Sequence, residues 1–157
     1  ILPIIDGKSP ISLRLIDWFT TNYCKQQFTV YNLQQKDGSI KRFKVYYDYK
    51  LKLKAYSKRR FDPFCRWDRI SIPYKNNIFI QTTIGQLNFF KWALEHKIID
   101  YIEENLENIE KDMNKRNSTM KRKEKSNKKT RKKREELSIS ASKSIKKEHV
   151  EIVIKFN

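Results

Sequence analysis

The sequence predicts an α+β fold: a small antiparallel sheet from two hairpins plus a C-terminal strand, packed with three to four helices and carrying a flexible basic loop. Three observations predict it. Short alternating stretches come in pairs separated by turn residues. Longer stretches between them space their apolar residues at helical intervals. Aromatic residues reach 13% although the net charge is +17, so one part of the chain folds around rings while another carries the charge.

The elements follow in order. Residues 9–25 read as a helix with Ser9 as cap, Pro10 in the first position and Leu15, Trp18, Phe19 and Tyr23 on one face. Trp18 belongs to the core in this reading. Strands at 28–33 and 40–47 flank Lys36-Asp37-Gly38-Ser39, and Asp-Gly is a strong hairpin signal. The stretch beyond Tyr47 fits either a continuing strand or a helix from about residue 48; Tyr47, Leu51 and Ala55 favour the helix. A second hairpin is expected from strands 69–73 and 77–82, turned by Lys75-Asn76-Asn77. Thr83 then starts a helix, with Gln86 completing a capping box. Leu87, Phe89, Phe90, Trp92, Ala93 and Leu94 cover most of its circumference, which predicts burial on more than one side. After Lys97 a second stripe runs through Ile98, Ile102, Leu106, Ile109 and Met113, opposite the acids Asp100, Glu103, Glu104, Glu107, Glu110 and Asp112. At the close, Val150, Ile152, Ile154 and Phe156 alternate as a half-buried strand over 149–156, returning to its own domain's sheet or pairing with a partner protein.

The length of 157 residues suits one folded domain. We place that domain at 1–114, a basic flexible segment at 115–147 and the terminal strand at 148–157. Residues 115–134 hold twelve Lys or Arg and one acid, Glu124, so this run carries most of the excess charge. With Met120 as its one apolar residue it cannot bury enough surface to offset the entropy of ordering. A nucleic-acid-binding segment, a nuclear import signal and a solvated linker all fit such a run. Paired with about six phosphates, it would give a log–log salt slope of about −5 on duplex DNA. Its candidate contact residues are Lys121, Arg122, Lys123, Lys128, Lys129, Arg131, Lys132, Lys133 and Arg134.

A second basic patch spans 50–69. Lys54, Lys58, Arg59, Arg60, Arg66 and Arg69 are its candidate phosphate contacts, with Tyr56, Phe61, Phe64 and Trp67 interleaved as candidate stacking platforms. A single strand needs that mixture: cations for phosphate and rings for bases. The competing reading makes the rings core and the cations a solvated rim. Asp62-Pro63 suits a turn, and Asp68 is placed to pair with an arginine.

Other function classes find little material. Cys24 and Cys65 are too few for a secreted disulfide scaffold and read as reduced thiols. Three glycines leave little for a phosphate loop, and two histidines argue against a His-based metal site. No catalytic residues, metal or cofactor are expected. Glu95-His96-Lys97 has the spacing of a nuclease E-x-K, with Asp62 as a further acid, but that motif belongs on a strand and this one ends a helix. A metal-dependent nuclease is therefore the remotest of the readings. The apolar runs are too short for a membrane span, and the start at Ile1 without Met suggests a truncated chain.

The stretches SPISLRLIDWFTTNY, LKAYSKRRFDPFCRWDRI, TTIGQLNFFKWALEHKIIDYI and KKREELSISASKSIKKEHVEIVIKFN resemble uncharacterised proteins of large nucleocytoplasmic DNA viruses of the mimivirus and phycodnavirus kind. The resemblance covers most of 9–157, and FDPFCR and GQLNFFKWA are its most specific parts. Trp67 departs from the pattern, which leads one to expect a second basic residue after Arg66. The resemblance carries over no catalytic residue. It implies an intracellular protein of the host cytoplasm (a viral factory), the virion or the nucleus. Two roles remain open: a non-enzymatic, largely sequence-independent nucleic-acid-binding accessory protein, with DNA preferred to RNA, and a virion or scaffold component that pairs through its terminal strand.

Overall fold

The computed structural model describes residues 1–126 and 147–149, with side chains as far as Ser118. It is an α+β fold with two antiparallel sheets. A short helix α1 (Leu2–Ile5) leads to α2 (Leu13–Trp18), a π-helical turn (Phe19–Tyr23) and α3 (Cys24–Gln26). Ser12, not Ser9, caps α2: its hydroxyl accepts from Leu15 N, while Ser9 Oγ accepts from Ile11 N in the turn before it. Ile11 and Ile16, the positions of a hydrophobic staple across this cap, are both fully buried. That burial is the physical reason the helix starts at Leu13 rather than at Pro10.

The first hairpin pairs β1 (Val30–Gln34) with β2 (Ile40–Lys44). Gly38 takes φ +83° and its N–H donates to Gln35 O, while the Asp37 carboxylate accepts from both Ser39 N and Ser39 Oγ. Those two bonds hold the Asp37 carboxyl below its ordinary pKa. Helix α4 (Val45–Tyr56) follows β2 directly, so the helical reading of this stretch holds and starts three residues sooner. The second hairpin joins β3 (Arg69–Pro73) to β4 (Ile78–Thr83). Asn76 and Asn77 both sit at positive φ, and Ile78 N donates to Lys75 O, the geometry of a type I′ turn. The short strand β5 (Lys147–His149) pairs with β4 of the same chain. Residues 150–157, which hold most of the expected strand, lie outside the described residues.

Helix α5 (Ile84–Glu95) turns through Lys97, at φ +53°, into α6 (Ile98–Glu104), and α7 (Leu106–Ser126) follows Asn105. Phe89, Phe90, Trp92 and Ala93 are buried, but Leu87 and Leu94 are exposed, so α5 is covered on fewer sides than its composition predicts. The core joins α2, the π turn, α4, α5 and α6 through Leu15, Phe19, Tyr49, Phe61, Phe89, Trp92 and Ile102. Trp18 is buried as expected, and its indole N–H donates to Asp112. The same carboxylate accepts from Arg116 Nε at 3.0 Å. Asp112 therefore faces inward instead of joining the acidic outer face. Helix α7 continues past residue 115 into the first part of the basic run, where Arg116, bonded to Asp112 and lying over the Trp18 ring, is held against the core.

Candidate nucleic-acid interface

The segment between α4 and β3 has no regular period, so its side chains are placed by what holds its backbone. Helix α4 ends at Tyr56, and Ser57 after it turns the chain away at a positive φ of +64°. The next residues lie against the first turn of α5. Asp62 N donates to Gly85 O at 3.1 Å, and Asn88 Nδ2 donates to Arg60 O at 2.9 Å. Gln86 is fully buried; its amide donates to Pro63 O and accepts from Thr82 Oγ1, each at 2.8 Å. Thr83 caps α5 by accepting from Gln86 N. The Gln86 side chain is thus spent on Pro63 and Thr82 rather than on a capping box.

Gly85 permits this close packing. A Cβ there would stand 2.7 Å from the Arg59 carbonyl oxygen, a backbone atom with little freedom to move. Gly85→Ala should therefore destabilise the protein by about 1–3 kcal/mol. Helix propensity alone would favour Ala by about 1 kcal/mol, so the sign of the change in a urea melt separates the two effects. An isolated Gly in a helical pattern is a sequence signal for close backbone approach.

The clamp divides the four candidate rings. Phe61 and Phe64 are 2% and 1% exposed and belong to the core. This corrects their assignment as stacking platforms: Phe61 packs against Phe89 and Trp92, with ring centroids 5.3 and 5.4 Å away. Tyr56 and Trp67 are each 42% exposed. Both line a groove of about 550 Å³ with Arg59, Arg60, Asp68 and Asn88, beside the Thr83–Gly85 turn of α5.

The cations divide as well. Arg66 is withdrawn from the surface set: Nε and Nη2 each bond the Asp62 carboxylate at 2.7 Å, and the guanidinium lies over the Phe64 ring. Asp62 is 2% exposed. Its bonds raise the Arg66 pKa still further, so the guanidinium stays charged. Arg59 forms an exposed ion pair with Asp68, the pairing of Asp68 with an arginine that the sequence suggested. Arg60 is exposed and has no ion-pair partner among the described residues. Lys54 on the last turn of α4 is exposed, as is Lys58 after it. Arg69, also exposed, opens β3 opposite Thr83, a residue that lines the groove. Lys121, Arg122 and Lys123 lie on α7, whereas Lys128, Lys129, Arg131, Lys132, Lys133 and Arg134 fall outside the described residues.

The acids suggested for a nuclease are committed elsewhere. Both Asp62 oxygens are on Arg66, and Glu95 pairs with Lys91 on the surface of α5. Both thiols are buried; burial pushes Cys24 up to about 12 and raises Cys65 above its ordinary value, so neither is poised as a nucleophile. Among the described residues no three His, Cys, Asp or Glu side chains gather as a metal ion would require. Nor is any helix among them long and apolar enough to cross a membrane. Sequence reasoning missed Gly85 and Asn88 and gave Gln86 a capping role only; all three position the groove without supplying charge.

A model of a family described as of unknown function (DUF7197) matches residues 1–156. An uncharacterized protein of Acanthamoeba polyphaga mimivirus, L507, is 48% identical over 129 residues, which cover 79% of this chain and 49% of that protein. The chain therefore spans about half the length of this relative. The giant-virus resemblance drawn from the sequence stands on these matches. No solved structure matches.

Proposed function

We propose that this chain, which belongs to the DUF7197 family of unknown function, is a non-enzymatic accessory protein of a giant virus that binds nucleic acid with little sequence preference. The observation that carries this reading is the groove. It gathers two arginines, Arg59 and Arg60, and two exposed rings, Tyr56 and Trp67, while Lys54, Lys58 and Arg69 add charge nearby. Rings beside cations suit a polymer that offers flat bases along a phosphate backbone. The basic run from 115 supplies a second, denser source of charge, and its first part lies on α7. A dense block of like charge is costly to concentrate without an anion nearby. DNA is preferred to RNA because the sequence resembles proteins of DNA viruses.

The test is a titration of the full chain against labelled DNA and RNA over a series of salt concentrations, read by fluorescence anisotropy. Binding at low salt should weaken steeply as salt rises, with a log–log slope of about −5 on duplex DNA if about six phosphates are paired. A chain that binds neither polymer at low ionic strength has another role.

A further inference from the structure

We infer that the Tyr56–Trp67 groove receives an unpaired base, so that the folded domain prefers single-stranded to duplex nucleic acid, and that Asp68 holds Arg59 until a phosphate replaces it. This deepens the nucleic-acid reading above and rests on it.

The rings carry the first part. Tyr56 stacks on Phe61, with centroids 6.0 Å apart and planes 15° from parallel, and Phe61 is itself locked in the core by Phe89 and Trp92. One side of the Tyr56 ring is thus backed by a fixed surface, and the remainder opens to the groove. Trp67, across the same lining, forms no ring pair among the described residues. Two large rings left in contact with water beside arginines form a surface that a base can cover. A base within a duplex already has neighbours on both faces, and drawing it out costs unpairing and unstacking; an unpaired base escapes most of that cost. The preference for single strands follows.

The electrostatics carry the second part. Asp68 is an exposed carboxylate placed on Arg59 in the groove that is to meet a polyanion. Such an exposed pair is weak and exchanges readily. A phosphate offers the guanidinium anionic oxygen acceptors of the same kind as the one Asp68 oxygen it now contacts, so Asp68 occupies the place of a ligand phosphate and repels the next one along the strand. Arg60, without an ion-pair partner among the described residues, is available from the start.

Tryptophan fluorescence tests this on the full chain. Trp18 and Trp92 are buried, with their indole N–H groups bonded to Asp112 and Asp48, but Arg116 of the basic run lies over Trp18, so the part of a ligand-dependent emission change that Trp67→Phe abolishes reports Trp67. The probes are an oligothymidylate, an abasic strand of the same length and a duplex, all at one salt concentration. The oligothymidylate should quench emission while the abasic strand and the duplex change it little. Trp67→Ala should weaken oligothymidylate binding by about 5- to 100-fold and duplex binding by less than about twofold. Trp67→Phe should restore most of the loss, and Asp68→Asn should tighten single-strand binding. Equal losses on all three probes, or none, would overturn the base subsite. If all three still bind with steep salt dependence in that case, the wider reading stands while the subsite falls. If the unaltered chain binds none of them at low salt, both fall together.

Discussion

Phe61→Ala is expected to lower folding stability by about 3–5 kcal/mol, an effect on the core rather than on a ligand contact. The Phe61 ring is 2% exposed and meets Tyr49, Tyr56, Phe89 and Trp92. Removing it takes away the backing of Tyr56 and leaves a cavity between α4 and α5 too well walled to collapse fully. Chemical denaturation should show a lower midpoint with the slope little changed. Phe61→Leu retains much of the volume and should cost well under half as much. Loss of nucleic-acid binding in a Phe61→Ala protein that keeps its full stability would instead return Phe61 to the ligand surface.

Asp62→Ala should have the next largest effect, about 2–4 kcal/mol. The carboxylate is buried and both its oxygens hold Arg66, whose side chain remains a quarter exposed. Without it the guanidinium keeps its charge and half-buried position but loses its partner. Removing one member of such a pair costs more than removing both, so Asp62→Leu combined with Arg66→Met should recover most of the loss. A double variant as unstable as Asp62→Ala alone would show that Asp62 acts through something other than Arg66, such as its bond from Phe64 N at 3.4 Å. Neither variant touches the groove cations Arg59 and Arg60 directly.

Much of the fold was legible because its signals are local. Asp37-Gly38 and Asn76-Asn77 turn the hairpins they announce, and both glycine and asparagine tolerate the positive φ those turns need. Thr83 caps α5 where the sequence puts a cap, since a hydroxyl one position before the helix can accept a bond from its first turn. Ser9 and Ser12 offer the same chemistry three residues apart, and the choice between them came from burying Ile11 and Ile16, which lies beyond local reach.

The site was legible only in part. From 56 to 68 bases and rings alternate without a period, and nothing in that order says which rings face inward. Phe61 and Phe64 differ from Tyr56 and Trp67 because Gln86, Asn88 and Gly85 fix the backbone between them onto α5. Arg66 likewise reads as one more surface cation until Asp62 is seen beneath it.

By itself the sequence determined the α+β class, the hairpins and the concentration of charge in one run, because turn chemistry, side-chain periodicity and formal charge are properties of neighbours along the chain. Only the tertiary structure decided which rings and which arginines are left to the solvent. For the rings that choice depends on α5, more than twenty residues further along the chain than Phe61, and on how closely Gly85 lets the two backbones approach; for Arg66 it depends on the burial of Asp62 beneath it.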